Sequence, residues 1–337
     1  MPILTFDVLV LGSQHVIATY TRLCFDRISF REHRFLVLGV PWLVLLGVLA
    51  VFTNGGTVAV TSLYIYWQWF HYVGQGVAVE RMYAYKAGST ESSVDWVALL
   101  AMYGVPLFGL LHRSMQKRLH PEQVYLTFDF YPLPVTQSLV TFCGILAATF
   151  CVVWIFRQAY HIRTFSLPHT AYVVTHWVIF LTGYYLIDDI TFGWLVINVW
   201  HNLQYVFLVW IYNNNRFKRG VDPDARVLSF LSQTRFIWLY FTVCLVLSGI
   251  FYKLVAVVDG LVLEKFLANQ DLILNMDPAF FQSSGLASLN LVPNSSSLAA
   301  AIAMLSYQVI NMHHYIVDAL IWRVDKKEHH VGLGLAE

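Results

Sequence analysis

The 337-residue chain is 58% hydrophobic and only 12% charged, with a mean hydropathy of +0.58 and a formal net charge of +1. Soluble domains carry about 25% charged residues, so this composition excludes an ordinary water-soluble globule. The near-neutral balance excludes a global field for nucleic acid, and four cysteines without CxxC spacing (Cys24, Cys143, Cys151, Cys244) exclude a zinc finger and read as small buried hydrophobes.

Repeated apolar runs predict an all-α, polytopic transmembrane bundle of about nine spans. In chain order they cover Ile3–Cys24, Phe35–Phe52, Thr57–Val79, Trp96–Leu111, Pro134–Phe156, Phe165–Ile187, Ile190–Tyr212, Phe236–Val258 and Leu298–Trp322. A turn at Asn54–Gly56 separates the second from the third. The first run lacks a basic leader and contains Asp7 and His15, so it is expected to remain as a span rather than be cleaved. Residues 1–325 form one integral-membrane domain on this reading. Within it, Asp259–Ser297 is an outer-face cap, and 326–337 is a polar, loose cytoplasmic tail with inert His329 and His330.

Basic residues follow every odd span: Arg22, Arg27, Arg31 and Arg34; Arg81 and Lys86; Arg157 and Arg163; Arg216, Lys218, Arg219 and Arg226; Arg323, Lys326 and Lys327. By the positive-inside rule the N-terminus lies outside and the C-terminus in the cytoplasm, in a multi-pass protein of a bacterial inner membrane. Arg113, Lys117 and Arg118 dissent. Either Leu110–Pro134 is a structured cap or the fourth span is miscounted.

Histidine within apolar runs is the strongest chemical signal. Counted to the nearest cytoplasmic-side basic residue, His15 lies 7 residues from Arg22, His71 10 from Arg81, His201 15 from Arg216 and His314 9 from Arg323; His169 and His176 lie 6 and 13 from Arg163. At about 1.5 Å per residue these depths are roughly 9–23 Å. Five spans thus carry imidazole between the inner boundary and the midplane, where ionisable groups are costly and mark function. Helical spacing pairs His71 with Gln75, His201 with Tyr205 (and neighbouring Gln204), and His314 with Asp318, as partners able to orient a ligating ring. A weak echo links INVWH (197–201) with INMHH (310–314). His33, His112, His120 and His161 sit at span ends or in loops, where interface roles outweigh ligation. Glu80 reads as an interface pair with Arg81, and Asp188 and Asp189 as a solvated turn. Asp318 has a plain alternative as a partner of Arg323.

Imidazole suits iron, zinc, copper and nickel. Six or seven histidines exceed one tetrahedral zinc, so the expected metal set is His15, His71, His169, His176, His201, His313 and His314. Asp318 and Tyr205 take catalytic roles, and two iron ions are expected per chain. The expected activity is that of a non-haem iron oxidoreductase, oxygenase, hydroxylase or desaturase-like, acting on a lipid or other hydrophobic substrate. The HxxxH and HxxHH boxes of membrane desaturases are absent, so only the chemistry is borrowed. Reducing power would come from an external electron-donor protein, since no Rossmann fingerprint is present. Alternatives are a zinc-dependent lipid hydrolase, a haem b protein using His71 with His176 or His201, a proton-coupled transporter, and a structural subunit of a larger complex. Membrane lipids are expected partners; nucleic acid is not.

Overall fold

A computed structural model describes residues 12–88, 95–117, 130–160, 165–268, 295–322 and 330–334. Among them every regular element is helical. The helices are α1 (Ser13–Cys24), α2 (Arg27–Glu32), α3 (Arg34–Leu38), α4 (Val40–Lys86), α5 (Trp96–Met115) and α6 (Gln137–Tyr160). They continue with α7 (Leu167–Leu181), which runs into a π-helical turn Thr182–Leu186, then α8 (Ile190–Arg216), α9 (Arg226–Leu231), α10 (Ile237–Ala268), α11 (Ser295–Ile321) and the single turn α12 (His330–Leu333). Aspartates start several of them. Asp26 accepts from the amides of Ile28 and Ser29, Asp95 from Val97 and Ala98, and Asp189 from Thr191, each satisfying amides that lack an intrahelical partner.

Five helical segments are long and apolar enough to cross a membrane: Val40–Lys86, Trp96–Met115, Gln137–Tyr160, Ile190–Arg216 and Thr234–Val262. Their surfaces point the same way. Only 17% of the apolar window in Gln137–Tyr160 and 11% of that in Thr234–Val262 is buried, leaving Phe142, Ile145, Trp238 and Leu254 bare. Continuous apolar surface of this extent is unfavourable in water and natural against lipid.

The remaining predicted spans fall short for identifiable reasons. The described part of the first is the 12-residue α1. The sixth divides into α7, of 15 residues, and the π-helical turn. The ninth, α11, has 27 residues but carries Gln308, Asn311, His313, His314 and Asp318.

The second and third predicted spans are the two arms of α4, which meet at Gly56 (φ 66°, ψ −163°). Carbonyl and ring contacts show that the chain doubles back there. Leu36, just before α4, meets His313 through its carbonyl, whereas His71, 35 residues later, packs on neighbouring His314. On the way, Thr61 donates to Met304. From there to the histidines the second arm and α11 each advance ten residues, so they run in parallel, with the first arm antiparallel to both.

Expectations about charge and loops change in part. Arg113 is buried at 2% exposure, not a loop cation. Its guanidinium donates to the carbonyls of Tyr184 (2.6 Å), Ile187 and Asp188 (3.0 Å), in and just after the π-helical turn. It therefore carries no weight in an orientation argument, and Lys117 is left as the described cation there. Arg118 lies outside the described residues. Asp188 and Asp189 form the expected exposed turn, in which the first supplies a carbonyl to Arg113 and the second caps α8. The predicted 259–297 cap begins as a continuation of α10 and ends within α11; its middle lies outside the described residues. The C-terminal tail is not wholly loose: α12 docks on α8, with Asn215 Nδ2 donating to the Gly332 carbonyl (3.1 Å) and Tyr212 packed on Gly332. His329 lies outside the described residues.

Candidate metal centre

Four helices each deliver one imidazole to a common point: His15 from α1, His71 from the second arm of α4, His201 from α8 and His314 from α11. The His15 ring lies 4.7 Å from His314 and 5.3 Å from His201; His71 lies 5.0 Å from His201 and 5.1 Å from His314. Asp318 joins from the turn after His314, placing Oδ2 3.4 Å from His314 Nε2 and 4.0 Å from His71 Nε2. All five side chains are buried. Two overlapping sets, His15–His201–His314 and His71–His314–Asp318, have ligand atoms within 4.8 Å of one another, close enough to hold a metal ion.

The protein leaves the inward-facing atoms of these groups unsatisfied. Nε2 of His71, His201 and His314 and Oδ2 of Asp318 are buried without a hydrogen-bond partner, and His15 brings one ring nitrogen to the cluster while its other lies near the Gly12 backbone. Each such atom costs about 1–3 kcal/mol in a folded interior, and such groups are rare without an explanation. The outward-facing atoms are well held. Thr19 lies 3.0 Å from His314 Nδ1, 2.6 Å from the Tyr205 hydroxyl and 3.2 Å from Asp318 Oδ1, to which Tyr205 also donates. Tyr205 gives its proton to the carboxylate and the single Thr19 proton is shared between Tyr205 and Asp318, so Thr19 meets His314 as an acceptor. The His314 proton then sits on Nδ1 and the Nε2 lone pair faces the cluster, the arrangement that outer hydrogen bonds impose on ligating histidines.

Aromatic rings fix the remaining imidazoles. Tyr72 stacks on His201 (3.9 Å) and Tyr315 on His71 (4.3 Å). Tyr72 is anchored in turn by Gln68 (2.9 Å) and by donation to Asn198. Trp322 Nε1 donates to the Tyr205 hydroxyl (3.0 Å). The Arg22 guanidinium lies 4.1 Å from both the Trp322 and Tyr212 rings and donates to the Ile321 carbonyl, closing the site two turns beyond His314.

Three predicted ligands stand elsewhere. His313 is already satisfied: Nε2 donates to the Leu36 carbonyl (2.7 Å) and Nδ1 accepts from the Tyr20 hydroxyl (2.6 Å). His169 donates to Glu80 (2.8 Å), so Glu80 is a buried partner of His169 rather than an interface partner of Arg81. His176 donates to the Met102 carbonyl (3.1 Å), with its ring pressed against Gly76. Gln75 does not orient His71; it donates to Gln204 (3.2 Å) and the His201 carbonyl (3.4 Å), while Gln204 donates to Tyr172. Arg323, the alternative partner for Asp318, lies outside the described residues, as do His120 and His161.

Sequence reasoning missed Thr19 and Trp322. Each had a readable signal: Thr19 follows His15 by four residues and Trp322 follows Asp318 by four, so each pair shares a helix face. No family model, curated protein or solved structure matches the chain.

Proposed function

We propose that the chain is a multi-pass membrane protein. Its His15–His71–His201–His314–Asp318 cluster binds a single metal ion, iron by preference, for oxidative chemistry on a hydrophobic substrate. The observation that carries the reading is the convergence of imidazoles from four helices with their inward nitrogens unpartnered, beside an equally unpartnered carboxylate oxygen. A cation could accept one nitrogen from each of the four rings together with the Asp318 oxygen.

The donor set consists of nitrogen and oxygen without sulfur, which favours iron, zinc, copper or nickel over thiophilic ions. If both sets closed on one ion, four imidazoles and a carboxylate would exceed the tetrahedral shell of zinc and would suit a six-coordinate iron that keeps a position for substrate or oxygen. This reading takes one ion where histidine number suggests two, since His169, His176 and His313 hydrogen-bond elsewhere and leave four imidazoles at the cluster. Ring spacings of about 5 Å on all sides favour an ion over haem b, since a macrocycle needs a clear plane between its axial histidines. Tyr205 and Thr19 hold Asp318 in place and offer hydroxyl protons beside the ion. Reducing equivalents come from a partner protein in this reading.

A second reading rests on the His15–His201–His314 set, which has the three-histidine composition of a catalytic zinc site. Metal analysis and an absorption spectrum of the purified full-length protein separate the two. About one iron per chain without a Soret band supports the oxidative reading; stoichiometric zinc without iron transfers support to a hydrolase. A chain that takes up neither metal on reconstitution overturns both.

A further inference from the structure

A second feature lies on the opposite face of α8. His201 and Tyr205 point toward the metal cluster, while Leu203, Gln204, Phe207 and Ile211 line a groove of about 710 Å³ closed on its other side by α4, α7 and α12. The walls are apolar, and Leu203, Phe207 and Ile211 lie between 37% and 44% exposed, so the groove opens toward the surroundings of the bundle.

Its polarity is graded along its length. On α8 it runs from Leu195 to Tyr212, 17 residues or about 25 Å, close to one bilayer leaflet with its headgroup layer. The deep end is aliphatic, at Leu195, Val199 and Ile179. The other end carries Tyr83, Tyr212 and the Lys86 ammonium, which lies beside Gly334 near the basic end of α8. Among the described residues no carboxylate pairs with Lys86.

We infer that this groove holds the acyl chain of an anionic membrane phospholipid, with its phosphate at Lys86. Three features select that occupant. The walls match hydrocarbon, the opening faces what the bare apolar helices mark as lipid, and the one ammonium sits where a headgroup would lie. The volume falls within the range of small-molecule sites. The helix separates this ligand from the metal cluster, so the lipid is a bound structural component and not the reacting substrate. Its contact with the centre is indirect, through Gln204, which accepts from the Gln75 that donates to the His201 carbonyl. The inference rests on membrane placement and is independent of which metal binds.

The test uses full-length protein reconstituted into vesicles of equimolar phosphatidylglycerol and phosphatidylcholine with matched chains, re-extracted in mild detergent, and assayed for retained lipid by native mass spectrometry. The expected result is one phosphatidylglycerol per chain in preference to phosphatidylcholine. Lys86→Gln should lower that preference about fivefold, the contribution of one interfacial lysine. Leu203→Trp, which fills the groove from an exposed position, should abolish retention while bound metal stays at the wild-type level. Equal retention of the two lipids by the wild type overturns the inference, as does undiminished retention by Leu203→Trp. A chain that fails to insert into the vesicles at all overturns the membrane reading instead.

Discussion

The Tyr205 phenol donates to Asp318 Oδ1 across 2.6 Å, tying α8 to α11 between residues 113 positions apart. The same oxygen receives Trp322 Nε1 and lies 2.6 Å from Thr19, so one hydroxyl joins three helices behind the candidate metal ligands. Removing it with Tyr205→Phe should strand the Trp322 donor and loosen Asp318. Partners of this kind typically contribute 10–100-fold to metal affinity. The expected outcome is a loss of that size in chelator-competition titration, with unfolding easier by about 1–3 kcal/mol. Unchanged affinity would falsify the role given to Tyr205.

Adjacent histidines should behave oppositely. His314→Ala deletes an inward-facing donor and should reduce bound metal sharply. His313→Ala should leave metal content intact and instead lower stability by about 1–3 kcal/mol, through the stranded Leu36 carbonyl and Tyr20 hydroxyl. Equal metal content in the two variants contradicts the assignment.

The Glu80–His169 pair is buried, with both side chains below 10% exposure. Breaking a buried pair by removing one partner costs about 3–5 kcal/mol, whereas replacing both with apolar groups can be neutral. Glu80→Ala should therefore lower the thermal midpoint markedly, and the double change Glu80→Leu with His169→Leu should recover most of the loss. Metal content should stay constant throughout; a parallel fall would place this pair in the metal site.

Gly56 adopts a conformation that is essentially restricted to glycine. Gly56→Ala should cost about 1–3 kcal/mol and reduce the yield of folded protein, because the reversal of α4 depends on it. Gly47→Ala, where an added Cβ meets no atom within 4 Å, is the control and should be neutral or slightly stabilising. Similar behaviour of the two variants would show that the turn tolerates ordinary residues.

Hydropathy and helical spacing are local properties, and what they govern was legible in the chain itself. The helical class, most apolar segments, the break at Asn54–Gly56 and the agreement in depth of His15, His71, His201 and His314 follow from the cost of placing backbone and imidazole in hydrocarbon. The rotation of each helix about its axis is not local; packing sets it. Successive residues on a helix point about 100° apart, so one of His313 and His314 had to leave the cluster, and only the contacts of Tyr20 and Leu36 decided which. In the same way Glu80 and the Met102 carbonyl claimed His169 and His176, and the carbonyls of Tyr184, Ile187 and Asp188 claimed Arg113. The sequence alone determined that buried imidazoles would lie at a shared level in an apolar bundle. The tertiary structure decided which of them meet, because a nitrogen already bonded to a neighbouring helix has no lone pair or proton left to bring to a common centre.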